Sequence, residues 1–235
     1  MSTFDEFSFS AQEFCGTARL FPLPNLVLFP HVMQPLHVFE PRYRAMLEEA
    51  LSGDRLITMG LLAPGWERDY EGRPPVRPIA CLGRVIVSQR LAGGAHNVLL
   101  VALRRVRLVR ELPPAKSFRE AVAEICEDRY PPQQVGKTAA LIRKLRGAFL
   151  RILADLPQAH EQLDQLLGSD LSLGTLTDII SYMLDIGLDA KEALLAETNV
   201  HRRAKLLLEH LAQASCDLEP AAAGAQPFPP SFSCN

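Results

Sequence analysis

The sequence has no excess of charge, no long apolar run and no basic leader, and each absence excludes a class of protein. Its 25 Lys and Arg residues nearly balance 27 Asp and Glu residues, so the whole chain exerts little attraction on nucleic acid or an anionic membrane. No window holds about 18 uninterrupted apolar residues, which argues against a membrane-spanning helix. The acidic N-terminus is not typical of a signal peptide. A cytoplasmic location is therefore expected.

The sequence also lacks the patterns that carry chemistry. Its five cysteines are odd in number and widely spaced, which predicts neither a disulfide framework nor a zinc site. The tripeptide at 136–138 is half of a phosphate-binding loop, but Pro131 stands where such a loop needs glycine. His160 and Asp164 lie one helical turn apart without the third ligand that catalytic zinc requires. We expect no catalytic residue, no metal and no cofactor.

Charge and composition divide the chain into four parts. Residues 1–16 carry a net charge of −3 and are expected to form a flexible arm. Residues 17–130 carry +4, and residues 131–215 carry −1. Residues 216–235 are rich in Pro, Ala, Gly and Ser. Because this last part has few large apolar residues to offset the entropy of ordering, we predict a disordered tail.

The pattern of residues 17–130 is mainly that of β-strands. Two long β-rich runs flank a Gly-Gly loop and predict a hairpin. Shorter apolar runs are bounded by proline, glycine or aspartate, which end strands. Strands are predicted at 27–29, 36–39, 55–62, 79–89, 98–109 and 118–126.

Helical periodicity occurs once before residue 130 and dominates residues 131–215. Pro41 can open the first helix, since its missing N–H costs nothing at the first helical position, and Gly53 can end it. Beyond residue 131 apolar residues recur three and four positions apart, as on the buried face of a helix. Asp189 is predicted to cap one of these helices and Asn199 the last. The sum is an α+β fold, with a small β domain followed by an α-helical bundle.

The segment LFPLPNLVLFPHVMQPLHVFEPRYRAMLEEAL at residues 20–51 resembles the N-terminal substrate-binding domain of the Lon protease family. The resemblance rests on L-F-P-L-P-N-x-V-L-F-P followed by P-L-x-V-F-E-P-R-Y-R, and it extends more weakly to about residue 215. It implies a PUA-like β pseudo-barrel with one short helix over 17–130 and the helical bundle over 131–215. It also implies recognition of unfolded or tagged proteins, here in a stand-alone form without ATPase and peptidase domains.

The leading hypothesis is a non-enzymatic module that binds unfolded or extended polypeptides. Two alternatives stay open. One is an adaptor or regulator that acts in trans on an ATP-dependent protease. The other is an RNA-binding PUA-like protein, for which likeness of fold is a weak warrant. The arginines between 84 and 110 could contact phosphates, although a solvated sheet face is the simpler interpretation. No membrane partner is expected.

The candidate partner-binding residues lie in the same front segment. Its phenylalanines can fill the barrel or lie at its mouth. Glu40 suits the start of a helix, where the helix dipole favours a carboxylate, and helical phase predicts that Arg42 and Arg44 are exposed. The candidate contacts are Phe29, Pro30, His37, Phe39, Glu40, Arg42 and Arg44.

Overall fold

The computed structural model describes residues 9–153, 171–217 and 233–234. The chain divides into two compact units, one made of Met1–Cys126 with Pro227–Asn235 and the other of Glu127–Gln226. The described part of the first unit is built on strands, and that of the second on helices. This confirms the predicted α+β class.

The strands of the first unit form one sheet that closes into a barrel. Neighbouring strands follow the order β4-β3-β1-β6-β5-β2-β7, and an additional pairing of β4 with β5 closes a five-stranded ring. β2 lies outside this ring, on the β5 side. The strands are β1 Thr17–Leu23, β2 Met33–Val38, β3 Leu56–Leu62, β4 Val76–Arg90, β5 His96–Glu111, β6 Arg119–Cys126 and β7 Ser233–Cys234.

The prediction of a strand at 27–29 is wrong. The preceding strand, β1, begins ten residues earlier, at Thr17. Residues 27–29 are buried, but Pro24 and Pro30 flank them, and proline has no N–H to give to a ladder. β1 itself contains Pro22. Proline is tolerated there because the pairing of β1 with β6 runs from Thr17 to Leu20 and ends before Pro22. At Pro22, β1 therefore pairs with β3 on one side only.

One helix, α1 at Pro41–Ser52, interrupts the strands where it was predicted. Proline occupies its first turn, Gly53 follows its last residue, and the buried side chains are Tyr43, Met46, Leu47 and Ala50. Of the arm expected at 1–16, the structure describes residues 9–16. Phe9 packs into the barrel core and is 8% exposed. Residues 1–8 lie outside the described residues.

The second unit contains helices α2 Thr138–Leu153, α3 Leu173–Met183, α4 Leu188–Ala196 and α5 Val200–Asp217. Asn199 caps α5 as predicted, because its Oδ1 accepts hydrogen bonds from the N–H groups of His201 (3.1 Å) and Arg202 (3.2 Å). The cap predicted at Asp189 is wrong, since Gly187 is the residue that precedes α4. Of the tail predicted at 216–235, residues 218–232 and 235 lie outside the described residues.

Candidate functional site

β2 turns alternate side chains toward the core and toward the surface. Leu36 and Val38 are each 2% exposed. On the alternate positions of the strand, Met33 is 53% exposed, and Pro35 and His37 are half-buried. This period of two is that of a strand with one packed face. β2 therefore contributes a row of outward side chains.

The outward row of β2 continues across two further strands. Pro35 pairs with Leu99 on β5, and Leu99 pairs with Val87 on β4. Directly paired residues lie on the same face of a sheet, and Val87 is 52% exposed. Phe39, just after β2, is 43% exposed and stacks on the His37 ring with centroids 5.8 Å apart. We name this surface the β2 face and define it as Met33, Pro35, His37, Phe39, Val87 and Leu99.

The β2 face gathers most of the exposed apolar bulk in the described part of the first unit. Four large apolar side chains are exposed there, and three of them belong to this face; the fourth is Val109, at 51%. His37 is held in place by a hydrogen bond between its Nδ1 and Asn97 Oδ1 at 2.8 Å. The face is thus an ordered apolar platform with an imidazole and an amide within it.

Glu40, directly after Phe39, joins a polar cluster with Arg42 and Tyr70. Its carboxylate accepts hydrogen bonds from Arg42 Nε and from the Tyr70 hydroxyl, both at 2.9 Å. The Arg42 guanidinium lies 4.8 Å from the Tyr43 ring centroid and 4.9 Å from that of Tyr70. Burial raises the pKa of Tyr70, and the hydrogen bond to Glu40 raises it further. Glu40 is the residue at the start of α1, as predicted, but its side chain makes no capping bond to the helix and joins this cluster instead.

The two arginines of α1 are half-buried, which corrects the prediction that they are exposed. Arg42 packs on Tyr70, and its Nη1 donates to the Tyr70 carbonyl at 3.2 Å. The guanidinium of Arg44 lies so close to the hairpin loop that a Cβ on Gly94 would be 2.5 Å from Nη2. Helical phase fails here because it considers α1 alone, whereas the loops at Tyr70 and Gly94 come from later in the chain.

Phe29 and Pro30 lie in the interior. Phe29 is fully buried, at 0% exposed, and Pro30 is buried beside it. A bound partner could not touch either side chain without moving this segment, so neither forms part of the exposed surface. Tyr43 is buried as expected, with its ring centroid 4.3 Å from that of Phe21.

A cavity of about 230 Å³ opens beside the Glu40 cluster. Four cations line it, and each has an acidic partner: Arg42 with Glu40, Arg73 and Arg119 with Glu111, and Lys116 with Glu49 and Glu120. Residues far apart in sequence form this cavity, and no local pattern predicts it. Because its charges are already compensated, the cavity provides no unpaired cation for an anionic ligand.

The motifs set aside in the sequence have ordinary structural roles where they are described. The tripeptide at 136–138 leads into α2, and the hydroxyl of Thr138 is hydrogen-bonded to His201 Nε2 at 3.0 Å. His160 and Asp164 lie outside the described residues. Within the described ranges, no group of three His, Cys, Asp or Glu side chains could hold a metal ion. Over the same ranges, every helix is too short or too polar to cross a membrane.

A family model matches residues 17–213, and its description is the substrate-binding domain of ATP-dependent protease La (LON). Lon protease 2 of Myxococcus xanthus is 26% identical over 194 residues, covering 82% of this chain and 23% of that protein. Lon protease 2 of Syntrophobacter fumaroxidans is 31% identical over 143 residues, covering 59% of this chain and 17% of that protein. The chain thus spans less than a quarter of the length of these relatives.

Solved structures share the fold. A Lon N-terminal domain protein from Xanthomonas campestris superposes with a TM-score of 0.58 at 20% identity, covering 82% of this chain and 97% of that one. The N-terminal domain of a Mycobacterium avium complex Lon protease gives a TM-score of 0.63 at 15% identity, with 86% and 98% covered. At these identities the likeness concerns the fold alone.

Proposed function

This chain belongs to the Lon substrate-binding domain family, and we propose on that premise that it binds unfolded or extended polypeptides without acting on them chemically. The observation that carries the proposal is the β2 face, where Met33, Phe39 and Val87 expose apolar surface on one ordered platform. Covering apolar area contributes about 25 cal/mol per Å². An unfolded chain exposes the apolar side chains that a folded protein buries, so such a platform favours the unfolded form as its ligand.

The rigidity of the platform supports a binding role. Val87, Leu99 and Pro35 are fixed by the strand register, and the His37 ring is fixed by Asn97 and Phe39. A surface that is already ordered loses little conformational entropy on binding. Broad, mainly apolar contacts also tolerate variation in the ligand's sequence, because they depend on area and not on hydrogen-bond patterns.

Three arginines of the hairpin, Arg84, Arg105 and Arg107, favour a polypeptide over RNA as the ligand, whereas Arg90 and Arg110 of the same hairpin are exposed. Arg84 forms an ion pair with Glu13 at 2.5 Å, and Arg107 forms one with Glu124 at 2.5 Å. Arg105 is 3% exposed. Phosphate binding depends on cations that can exchange their counterions, and these side chains are paired or buried. RNA binding would show instead as a steep loss of affinity with added salt.

The finer part of the proposal concerns the partner. Since the relatives are proteases by name, we propose that this chain presents polypeptides to an ATP-dependent protease in trans, in the cytoplasm. The matched region is the substrate-binding domain, so neither ATP hydrolysis nor peptide cleavage is expected of the purified chain. A degradation assay with and without the chain tests this part; an unchanged rate contradicts it.

Two valines of matched exposure provide the direct test of polypeptide binding. Val87 on the β2 face is 52% exposed, and Val109, ten residues beyond Leu99 on β5, is 51% exposed. We expect Val87→Asp to weaken binding of a reduced, carboxymethylated model protein by about tenfold or more, because a carboxylate must be desolvated in the contact. Val109→Asp should leave affinity within about twofold. Fluorescence anisotropy measures both.

The matched pair also separates the possible failures. Urea unfolding of each variant tests whether the barrel is intact. With an unchanged unfolding midpoint, a change in affinity can be assigned to the surface. Equal loss of binding in both variants would mean that the contact is not localised on the β2 face. Absence of saturable binding in the unsubstituted protein would contradict polypeptide recognition itself.

A further inference from the structure

β2 has an outer edge that the barrel does not cover. On one side β2 pairs with β5 along its whole length, from Met33 with Val101 to Val38 with His96. On its other side, the described residues that pair with it are Ser233 and Cys234. An open strand edge presents N–H and C=O groups that readily pair with another extended segment. The strand that borders the β2 face is therefore also able to accept a new strand.

Ser233–Cys234 already use this edge. They form β7, parallel to β2, with Ser233 in register with Leu36 and Cys234 in register with His37. These residues follow α5 in sequence, yet they group with the first unit. The chain thus contains a segment that adds a strand to its own barrel, in the manner by which peptides are bound at sheet edges.

The sequence around β7 has the chemistry of a β2-face ligand. Residues 226–235 read QPFPPSFSCN, with two phenylalanines, three prolines and no charged side chain. Proline favours extended backbone, and phenylalanine suits an apolar platform. A neutral segment rich in phenylalanine and proline is what a mainly apolar surface beside an open strand edge can bind at little desolvation cost.

We infer that the outer edge of β2 is a docking site for an extended, apolar peptide segment, and that this chain's own segment around Ser233–Cys234 is its resident occupant. The backbone of the occupant at Ser233–Cys234 pairs with β2 in parallel, beside the β2 face. A polypeptide ligand that uses the same edge must displace this segment. That consequence rests on the proposed function, whereas the docking itself does not.

The register provides a direct test through cysteine cross-linking. Neighbouring strands lie about 4.8 Å apart, within the roughly 4.4–6.8 Å between Cα atoms that a disulfide spans. Because His37 is in register with Cys234, His37→Cys should form a 37–234 disulfide under mild oxidation. Met33→Cys, about 13 Å away along β2, should form a 33–234 disulfide in at least fivefold lower yield. Peptide mapping by mass spectrometry distinguishes these from bonds to other cysteines.

Three results would overturn the inference. Equal cross-linking from positions 33 and 37 would mean that Cys234 has no fixed register on β2. A 37–234 disulfide found only between two molecules would make the occupant a second copy. If the His37→Cys variant has an unchanged unfolding midpoint and yields no 37–234 disulfide, the segment does not dock on β2.

Affinity for a polypeptide provides the second test, without altering β2. The double substitution S233P/C234P removes both N–H groups of β7, so the segment can no longer pair; S233A/C234A keeps them. If the resident segment holds the edge most of the time, the proline variant should bind the carboxymethylated probe about three- to tenfold more tightly than the alanine control. Equal affinities in the two variants would overturn competition for the edge. If the 37–234 disulfide forms but the protein does not bind the probe, the docking of the segment stands and the proposed function is contradicted.

Discussion

The barrel carries two outer surfaces of opposite character. The β2 face is apolar and lies on the strand outside the closed ring. The other surface lies on β1, β6 and β5, where Arg19 pairs with Glu120 and Glu124 pairs with Arg107 in the strand register. Lys116 and Glu49 extend it, and we name it the β6 face: Arg19, Glu49, Arg107, Lys116, Glu120 and Glu124.

The β6 face satisfies its charges internally. Glu49 contacts Arg19 at 2.9 Å and Lys116 at 2.7 Å, and Lys116 also contacts Glu120 at 3.0 Å. Covering this face with a partner would require desolvation of an ion-pair network, whereas covering the β2 face would bury apolar surface. One barrel thus separates a surface suited to remain in water from one suited to be covered. The difference explains why we expect polypeptides at β2.

The largest expected effect is on the free energy of unfolding, and it should distinguish the buried face of β2 from its exposed face. Leu36 is 2% exposed and Met33 is 53% exposed, on opposite faces of one strand. Leu36→Ala should lower the free energy of unfolding by about 2–5 kcal/mol, because it removes buried methyl groups and leaves a cavity. Met33→Ala should change it by less than about 0.5 kcal/mol. Urea denaturation measures both; comparable losses would contradict the assignment of faces.

A smaller effect is expected on the β6 face. Glu49→Ala removes an anion that two cations share, and should cost about 1 kcal/mol because the carboxylate is partly solvated. The loss should shrink at high salt, since salt screens such pairs. Glu48→Ala, at the exposed neighbouring position of α1, should cost little under either condition. Equal losses at positions 48 and 49 would mean that the network does not stabilise the barrel.

Local patterns predicted the elements whose signals are local. Pro41 and Gly53 mark the ends of α1, and the Gly-Gly loop marks the hairpin, with Gly93 and Gly94 at φ values of +82° and +83°. The same approach failed for residues 27–29, because an apolar run reports burial and not strand pairing. Proline on both sides was the available signal that this run could not join a ladder.

The candidate surface was only half predictable. His37 and Phe39, two of the candidate partner contacts, lie on it, and alternation with buried Leu36 and Val38 is the local signal for their outward position. That a partner binds them stays a prediction. Val87 and Leu99 were missed, since only the pairing of β4 and β5 with β2 brings them beside Pro35. The phase set by Leu36 and Val38 was the one signal that could have added Met33, although it also turns polar Gln34 inward. Everything else about the face depends on register, which emerges from the folded sheet.

The smallest effect concerns acid stability, and it is expected on the β6 face and not on the β2 face. Burial by itself would raise the pKa of Glu49, but the hydrogen bonds from Lys116 and Arg19 outweigh it and hold the pKa below its ordinary value of 4.5. A carboxyl whose pKa is lower in the folded state contributes stability that is present above pH 4.5 and is lost as pH falls through the lowered pKa. Glu49→Gln should therefore flatten the fall in unfolding free energy below pH 4.5, relative to the unsubstituted protein.

The β2 face provides the contrast for this measurement, because its defining side chains include no carboxylate. Val87→Ser should leave the acid limb of the stability curve unchanged in slope, whatever it does to binding. Urea denaturation between about pH 3 and pH 6 covers the window in which Glu49 takes up its proton. If Glu49→Gln and Val87→Ser give the same slope, the paired charges of the β6 face are not what acid weakens, and the electrostatic half of the comparison between the two faces is wrong.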